Sequence, residues 1–246
     1  MLRCHKTYVG TVFGNMKELK SKPANQKLTI FAATGGIGRE IVAQAVTAGH
    51  DITAVVRNPS KLAAAVRYVT ADLATTDPAA LEQAIAGADA VLSALGARSS
   101  SDAGVAWRGT RAIVQAMKAV KVGRIVVVSA APIGTVPSPG RPNPSKHDPG
   151  DGFFMRNLLS PLTKFALREH YADLALMEEI LRQSGLDWTI VRPPRLTDKP
   201  LTGVYRIAYG KNLRRGLFIS RANVAHLMLR VLDQPESIKQ TIGIAN

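Results

Sequence analysis

The chain of 246 residues is 46% hydrophobic, carries 32 Lys and Arg against 18 Asp and Glu, and has a formal charge of +14. That length fits one α/β domain with a full core, and the lone cysteine, Cys4, excludes an internal disulfide and gives no metal-site pattern. Aromatics at 5% are too sparse for base-stacking platforms and no DNA-reading motif is present, so nucleic-acid binding is not expected; no apolar run approaches the about 20 residues that cross a bilayer.

Residues 1–27 hold six Lys/Arg and one Glu and read as a basic, flexible tail. They lack the apolar centre of a secretory signal and are Lys-rich rather than Arg- and Ser-rich, so a cytoplasmic setting is expected. Met16 precedes the basic stretch, and the expectation is that the functional protein begins near it, with the first fifteen residues dispensable.

From Leu28 the sequence runs LTIFAATGGIGREIVAQAVTAGHDITAVVRNPSK. A short apolar run ends in Thr34-Gly35-Gly36-Ile37-Gly38, an amphipathic helix follows, and a second apolar run closes on Val56-Arg57. Strand, glycine-rich turn, helix and strand in this order open a dinucleotide-binding unit. A pyrophosphate needs backbone N–H groups aimed at it and no side chain in the way, which glycines at a helix N-terminus provide. The place of the motif's first glycine is taken by Ala32.

A free ribose 2′-OH is usually met by a carboxylate about 20 residues after the glycines. Here that place holds Arg57, with Lys61 one turn on. A basic side chain pairs with a 2′-phosphate that a carboxylate would repel, so NADP(H) is expected over NAD(H).

Further βα alternation follows: strand Arg67–Thr70 ending at Asp72-Leu73, helix Pro78–Ala86, strand Ala88–Leu95, helix Gly104–Val120 and strand Arg124–Ser129. Apolar strands alternating with helices predict a Rossmann-type, doubly wound parallel sheet. Ligands bind outside the carboxyl ends of such strands, which singles out Asp72, Leu73, Leu95, Gly96, Ser129 and Ala130. Seven prolines between Pro132 and Pro161 forbid a continuous helix or central strand. The segment Pro132–Lys164 is expected either as a lid over the reactive end of the cofactor, walled by Phe153, Phe154 and Met155, or, over 137–150, as a surface loop.

A helix over Lys164–Ser184 and a strand over Asp187–Val191 come next, and Arg192-Pro193-Pro194 should stop regular structure. Strands at Gly203–Ala208 and Leu217–Ile219, a helix at Arg221–Leu232 and a last strand at Thr241–Ile244 suggest a small C-terminal substrate lobe. No repeat or linker interrupts 28–246, so it is expected to be a single NAD(P)-binding domain.

With Phe31–Gly38, Val56-Arg57, Leu95-Gly96-Ala97-Arg98, Leu186–Pro194, Pro200–Tyr205 and Ile219-Ser220-Arg221 with Asn223-Val224-Ala225, the chain resembles the atypical short-chain dehydrogenase/reductases. It is similar to their NmrA-like and flavin/biliverdin-IXβ reductase branch over roughly residues 28–245. The resemblance implies that Thr34–Gly38 hold the pyrophosphate and Arg57 and Lys61 the 2′-phosphate. It implies that Asp72 and Leu73 flank adenine and that Leu95, Gly96 and Arg98 lie along the inner ribose and phosphates. Ser129, Ala130 and Pro193, Pro194, Arg195 and Leu196 would border nicotinamide.

The superfamily's Tyr-x-x-x-Lys pair is incomplete: Tyr171 has Ala175 where the lysine belongs. Tyr171 is then either a weak acid of pKa about 10 or a packed helix tyrosine. Ser129 is either a donor to a substrate oxygen or a strand-end serine bonded to backbone or cofactor. Without a strong acid, a planar conjugated acceptor of flavin, quinone or bilin type suits better than an isolated ketone, because it delocalises the charge that hydride brings. Arg98, Arg195 and Arg156 would favour an anionic one. A non-catalytic, NADP(H)-sensing regulatory protein of the NmrA-like type is the alternative, and an epimerase using bound NAD a third, against which Arg57 and Ala175 both count.

Overall fold

The computed structural model describes residues 25–246 apart from 63, 74, 76, 97–101, 103 and 151–166. Expectations resting on the tail before residue 25, on Arg98 and Arg156, and on Phe153–Met155 lie outside the described residues.

Six strands of the parallel part are β1 Lys27–Phe31, β2 Asp51–Val56, β3 Arg67–Thr70, β4 Ala90–Ser93, β5 Arg124–Val128 and β6 Asp187–Arg192. Helices α1 Gly36–Ala48, α2 Pro78–Ile85, α3 Val105–Ala119, α4 Arg168–Gln183 and α5 Arg221–Arg230 cover the sheet. Strands β7 Arg195–Thr197, β8 Arg206–Tyr209, β9 Phe218–Ser220 and β10 Gln240–Ala245 complete the chain.

The large sheet runs β3-β2-β1-β4-β5-β6-β10-β8, with only β8 antiparallel to its neighbour. The reversal between β1 and β4 is the switch point at which open α/β sheets bind dinucleotides. Side chains of a strand alternate between faces, and the core divides accordingly. Phe31, Ile125 and Val127 point to a layer with α2, α3 and α4, through Leu81, Ile113, Met117, Leu174 and Met177. Leu28, Ile30, Val126 and Val128 point to the opposite layer with α1 and α5, through Ile41, Val42, Val224, Leu227 and Met228. Burial on both faces accounts for the near-continuous apolar strands.

Two sequence expectations are corrected here, and of the two readings of Pro132–Lys164, lid or surface loop, the described part bears on one. Regular structure does not stop at Arg192-Pro193-Pro194: Arg195–Thr197 forms β7, paired in parallel with β9 in a separate two-stranded sheet. The strand expected from Gly203 starts at Arg206, because the Asn223 side-chain oxygen accepts from the N–H groups of Thr202 (3.1 Å) and Gly203 (3.1 Å) and folds that stretch into a turn. Finally, residues 132–150 do not border the main cleft. A 3-10 turn over Ala131–Thr135 packs on α4, and Arg141 donates to the carbonyl of Ile133 (2.9 Å). Asp148, nearly buried, accepts from the N–H groups of Gly150 and Asn212, both at 2.8 Å. These bonds tie the segment to the C-terminal part of the chain instead of over the strand ends.

Candidate functional site

A cleft of about 440 Å³ opens at the carboxyl ends of β1 to β5. Its floor is the turn between β1 and α1. Ala32 there adopts φ 57°, a left-handed conformation that a glycine holds without strain, and its carbonyl accepts from the Gly35 N–H at 2.8 Å. Gly38 lies beneath this turn: a Cβ on it would stand 2.1 Å from the Ala32 carbonyl oxygen and 3.0 Å from Ala33 Cα. The N-cap of α1, Gly35, offers no side-chain cap, and the first turn has no acidic residue. The first amide N–H groups of α1 are therefore without helix partners, at its positive end. Thr34, Gly35, Gly36 and Ile37 line the cleft; Gly38 is buried and shapes the turn from below.

At the β2 end, Arg57 and Lys61 line one extremity of the cleft together with Asn58. Arg57, more than half exposed, reaches Asp102 at 3.4 Å, a loose pair of the kind worth about 0–1 kcal/mol. Such a contact yields readily to a phosphate. Asp72 and Leu73 beyond β3, and Leu95 and Gly96 beyond β4, line the middle.

Ser129 lines the far end, after β5, and beneath it lies a buried charge cluster. The Ser129 hydroxyl donates to Glu178 Oε1 at 2.7 Å. Glu178, fully buried on α4, also accepts from Arg192 Nε at 2.8 Å and from Arg182 Nη2 at 2.6 Å. Burial alone would raise the Glu178 carboxyl, but the Arg192 and Arg182 guanidinium groups and the Ser129 hydroxyl outweigh it and hold it below the usual carboxylate range. Glu178 is thus ionised at neutral pH and accepts the hydrogen bond that the hydroxyl donates. With its hydroxyl donating to Glu178, Ser129 turns oxygen lone pairs toward the cleft.

Tyr171 does not line the cleft. It is 7% exposed and packs in the core layer with Leu174, Ala175 and Met177. The two α4 residues that line the cleft are His170 and Leu174, one turn apart on one face. The expected Tyr171/Ala175 pair is therefore one residue out of phase with the face that meets the cleft. His170 packs against Gly96, its Cε1 3.9 Å from where a Cβ would stand, and burial pushes its imidazole below the usual 6.5 against a weaker opposing pull from Asp173. Asp173 itself accepts from the N–H groups of Ala106 (3.2 Å) and Trp107 (2.7 Å), so it caps α3 from the neighbouring helix.

Of the residues expected near nicotinamide after β6, Leu196 lines the cleft. Pro193 is buried, its carbonyl accepting from the Ala131 N–H at 2.9 Å. Pro194 borders a separate small hollow, and the Arg195 guanidinium lies 5.9 Å from the Phe218 ring. Ala130 caps the 3-10 turn, and Arg98 is outside the described residues. Sequence reasoning missed His170, Asp102 and Arg221 as site residues. Arg221, first residue of α5, lines the cleft beside the glycine turn, where a Cβ on Gly36 would meet its Cδ and Nε at 2.7 Å. It pairs with Asp198 at 2.6 Å, and Asp198 is 89% exposed.

The chain matches the NAD(P)H-binding family over residues 32–235. It is 29% identical over 217 residues to an uncharacterized sugar epimerase of Bacillus subtilis, covering 85% of this chain and 88% of that one. It is 28% identical over 240 residues to an uncharacterized chloroplastic protein of Arabidopsis thaliana, covering 92% and 79%. Among solved structures, a short-chain dehydrogenase/reductase from Veillonella parvula in complex with NADP shares the fold, with a TM-score of 0.69 at 19% identity, over 90% of this chain and 94% of that one. A candidate NADH-flavin reductase from Streptococcus pneumoniae has a TM-score of 0.67 at 26% identity, over 90% and 99%.

Proposed function

The chain belongs to the NAD(P)H-binding family, and on that premise we propose that it is an NADPH-dependent oxidoreductase passing hydride to a planar conjugated acceptor of flavin, quinone or bilin type. The observation that carries this reading is the pairing of two features in one cleft. One is a glycine turn over the uncapped N-terminus of α1; the other is a basic extremity at Arg57 and Lys61.

The residues fit the dinucleotide. Nothing larger than hydrogen is tolerated at Gly38, and the first amides of α1 are free to bind a pyrophosphate. Arg221 stands beside the same turn and adds a cation. Arg57 and Lys61 take the 2′-phosphate, with Asp102 released from Arg57. Asp72 and Leu73 flank the adenine and Leu95 and Gly96 the inner ribose. Ser129, oriented by Glu178, accepts a hydrogen bond at the nicotinamide end, where Leu196 supplies an apolar wall. When bound, the reduced nicotinamide supplies the hydride. The chain positions the acceptor against it, and among the described residues Tyr171 packs in the core rather than in the cleft, consistent with an acceptor that delocalises charge.

A second reading is a sensor that binds NADP(H) without turnover. It is favoured by Tyr171 packing in the core and by Leu174 at the cleft position where an acid pair would need its lysine. A fluorescence titration separates the two. NADPH should bind about tenfold or more tighter than NADH, as expected for one charge-assisted contact. Subsequent riboflavin should then discharge the nicotinamide emission. Tight binding with no discharge by any conjugated acceptor makes the protein a sensor; equal binding of both dinucleotides overturns the 2′-phosphate assignment.

Among the described residues no helix is long and apolar enough to cross a membrane. We place the activity in the cytoplasm and in residues 28–246, with the first fifteen residues dispensable for cofactor binding.

A further inference from the structure

His170 is the cleft residue whose chemistry the proposed function leaves unused. Among the described residues neither of its ring nitrogens has a hydrogen-bond partner, and Nδ1 is sealed from solvent. A buried N–H without an acceptor costs more than a lone pair without a donor. The ring proton therefore sits on Nε2, the nitrogen left accessible, and the residue lines the cleft. Its neighbours fix the ring: Gly96 on one side and the Tyr171 ring, 6.0 Å between centroids, on another. Leu174, one turn along α4, gives the adjoining surface an apolar character.

Charged groups act on the His170 ring or share its cleft from several elements. Asp173 lies on its own helix, while Arg57, Lys61, Asp72, Asp102 and Arg221 line the same cleft from elsewhere in the fold. The Asp173 carboxylate is engaged by the Ala106 and Trp107 N–H groups, and the imidazole is a donor available to a ligand in the cleft.

We propose that His170 is the chain's polar contact to the hydride acceptor, donating Nε2–H to an oxygen or nitrogen of that acceptor. This rests on the reading of the cleft as an NAD(P)H site. In the step, the acceptor gains a hydrogen and an electron pair as a C–H bond of the reduced dinucleotide breaks and a bond to the acceptor forms. The dinucleotide is oxidised and the acceptor leaves the step as an anion. His170 hydrogen-bonds where that negative charge collects, and a solvent proton then neutralises it. The acceptor class this selects is a conjugated ring system with a carbonyl or imine-type atom next to its electrophilic centre. Isoalloxazines and quinones meet that description.

The test follows the His170 Cε1–H resonance by NMR in the full chain, first with saturating NADP+ and then with riboflavin added. His170 should shift on addition of riboflavin, and its titration midpoint should move with it. His170→Phe should bind NADPH as the parent does and reduce riboflavin about 10- to 100-fold more slowly, the loss of one hydrogen bond to a charged group. His170→Asn, which keeps an N–H donor, should recover part of that loss. A resonance unmoved by riboflavin with the dinucleotide bound, or full turnover in His170→Phe, overturns the assignment of His170 while leaving the cofactor site standing. Absence of any dinucleotide binding overturns both.

Discussion

Gly38→Ala is the sharpest probe of the glycine turn. The added Cβ would meet the Ala32 carbonyl oxygen at 2.1 Å, with the Ala32 carbonyl carbon at 2.8 Å and Ala33 Cα at 3.0 Å. All three are backbone atoms of the turn, so none can swing away. Overpacking of this kind costs about 1–3 kcal/mol, and with backbone as the obstacle the upper figure applies. Alanine recovers about 1 kcal/mol of helix propensity inside α1. The net loss is about 2 kcal/mol, which for a chain of this size lowers Tm by about 4–8 °C. The displaced turn should also weaken NADPH by more than the stability change alone suggests, since its amides form the anion site. Gly36→Ala is the contrast. Its Cβ meets only the Arg221 side chain, at 2.7 Å, and that chain can move. Thermal melts and NADPH titrations of the two variants side by side give the answer. A Gly38→Ala protein that melts and binds like the parent would refute the described turn.

Ala32→Gly should do the opposite of Gly38→Ala: removing a Cβ at φ 57° relieves about 1–2 kcal/mol of left-handed strain against about 0.4–1 kcal/mol of added unfolded-chain entropy, so Tm should rise by no more than about 2–4 °C in a calorimetric scan. Arg57→Glu should weaken NADPH about 10- to 100-fold and leave NADH nearly unchanged, as read by paired fluorescence titrations; equal losses would reject the role given to Arg57. Glu178→Ala strands Arg192, only 5% exposed, without its counter-ion and should cost about 3–5 kcal/mol in urea denaturation. Stability should also fall on acidification in two stages. His50, His170 and His226 titrate below the usual 6.5 in the fold because burial disfavours the charged ring, so the unfolded chain takes up protons first as pH drops beneath that value. Glu178, held below its usual 4.5, stabilises above that pH, and its contribution is lost as pH falls further through the folded value. Melting temperatures across this range should show a larger second stage in the parent than in Glu178→Ala, in which Glu179, also held below 4.5, still titrates.

The glycine turn, the two strands around it and Arg57 were legible in the sequence because the motif is local: all its parts fall within Leu28–Lys61. The strand ends Asp72, Leu73, Leu95, Gly96 and Ser129 could be marked for the same reason, since βα alternation assigns their place. What escaped depends on long-range packing. Arg221, 185 residues further along the chain, comes to Gly36 only because α5 packs on α1. The Ser129 hydroxyl donates its hydrogen bond to Glu178, a partner 49 residues on, which no local pattern announces. On α4, Tyr171 packs in the core, one of the two readings the sequence allowed, and the face that meets the cleft lies one residue, about 100° of helix, away. His170 stands on that face, and only the packing of α4 shows it. The strand β7 was hidden by Pro193-Pro194, because its partner β9 is needed to form it.

NADPH oxidation by the purified protein, compared with NADH and run against FMN, riboflavin, a quinone and a bilin, tests the central claim most directly. Saturable turnover with at least one of these acceptors and a clear preference for NADPH is the expected result. Saturable binding of NADPH with no oxidation by any acceptor would contradict it and leave the sensor reading in its place.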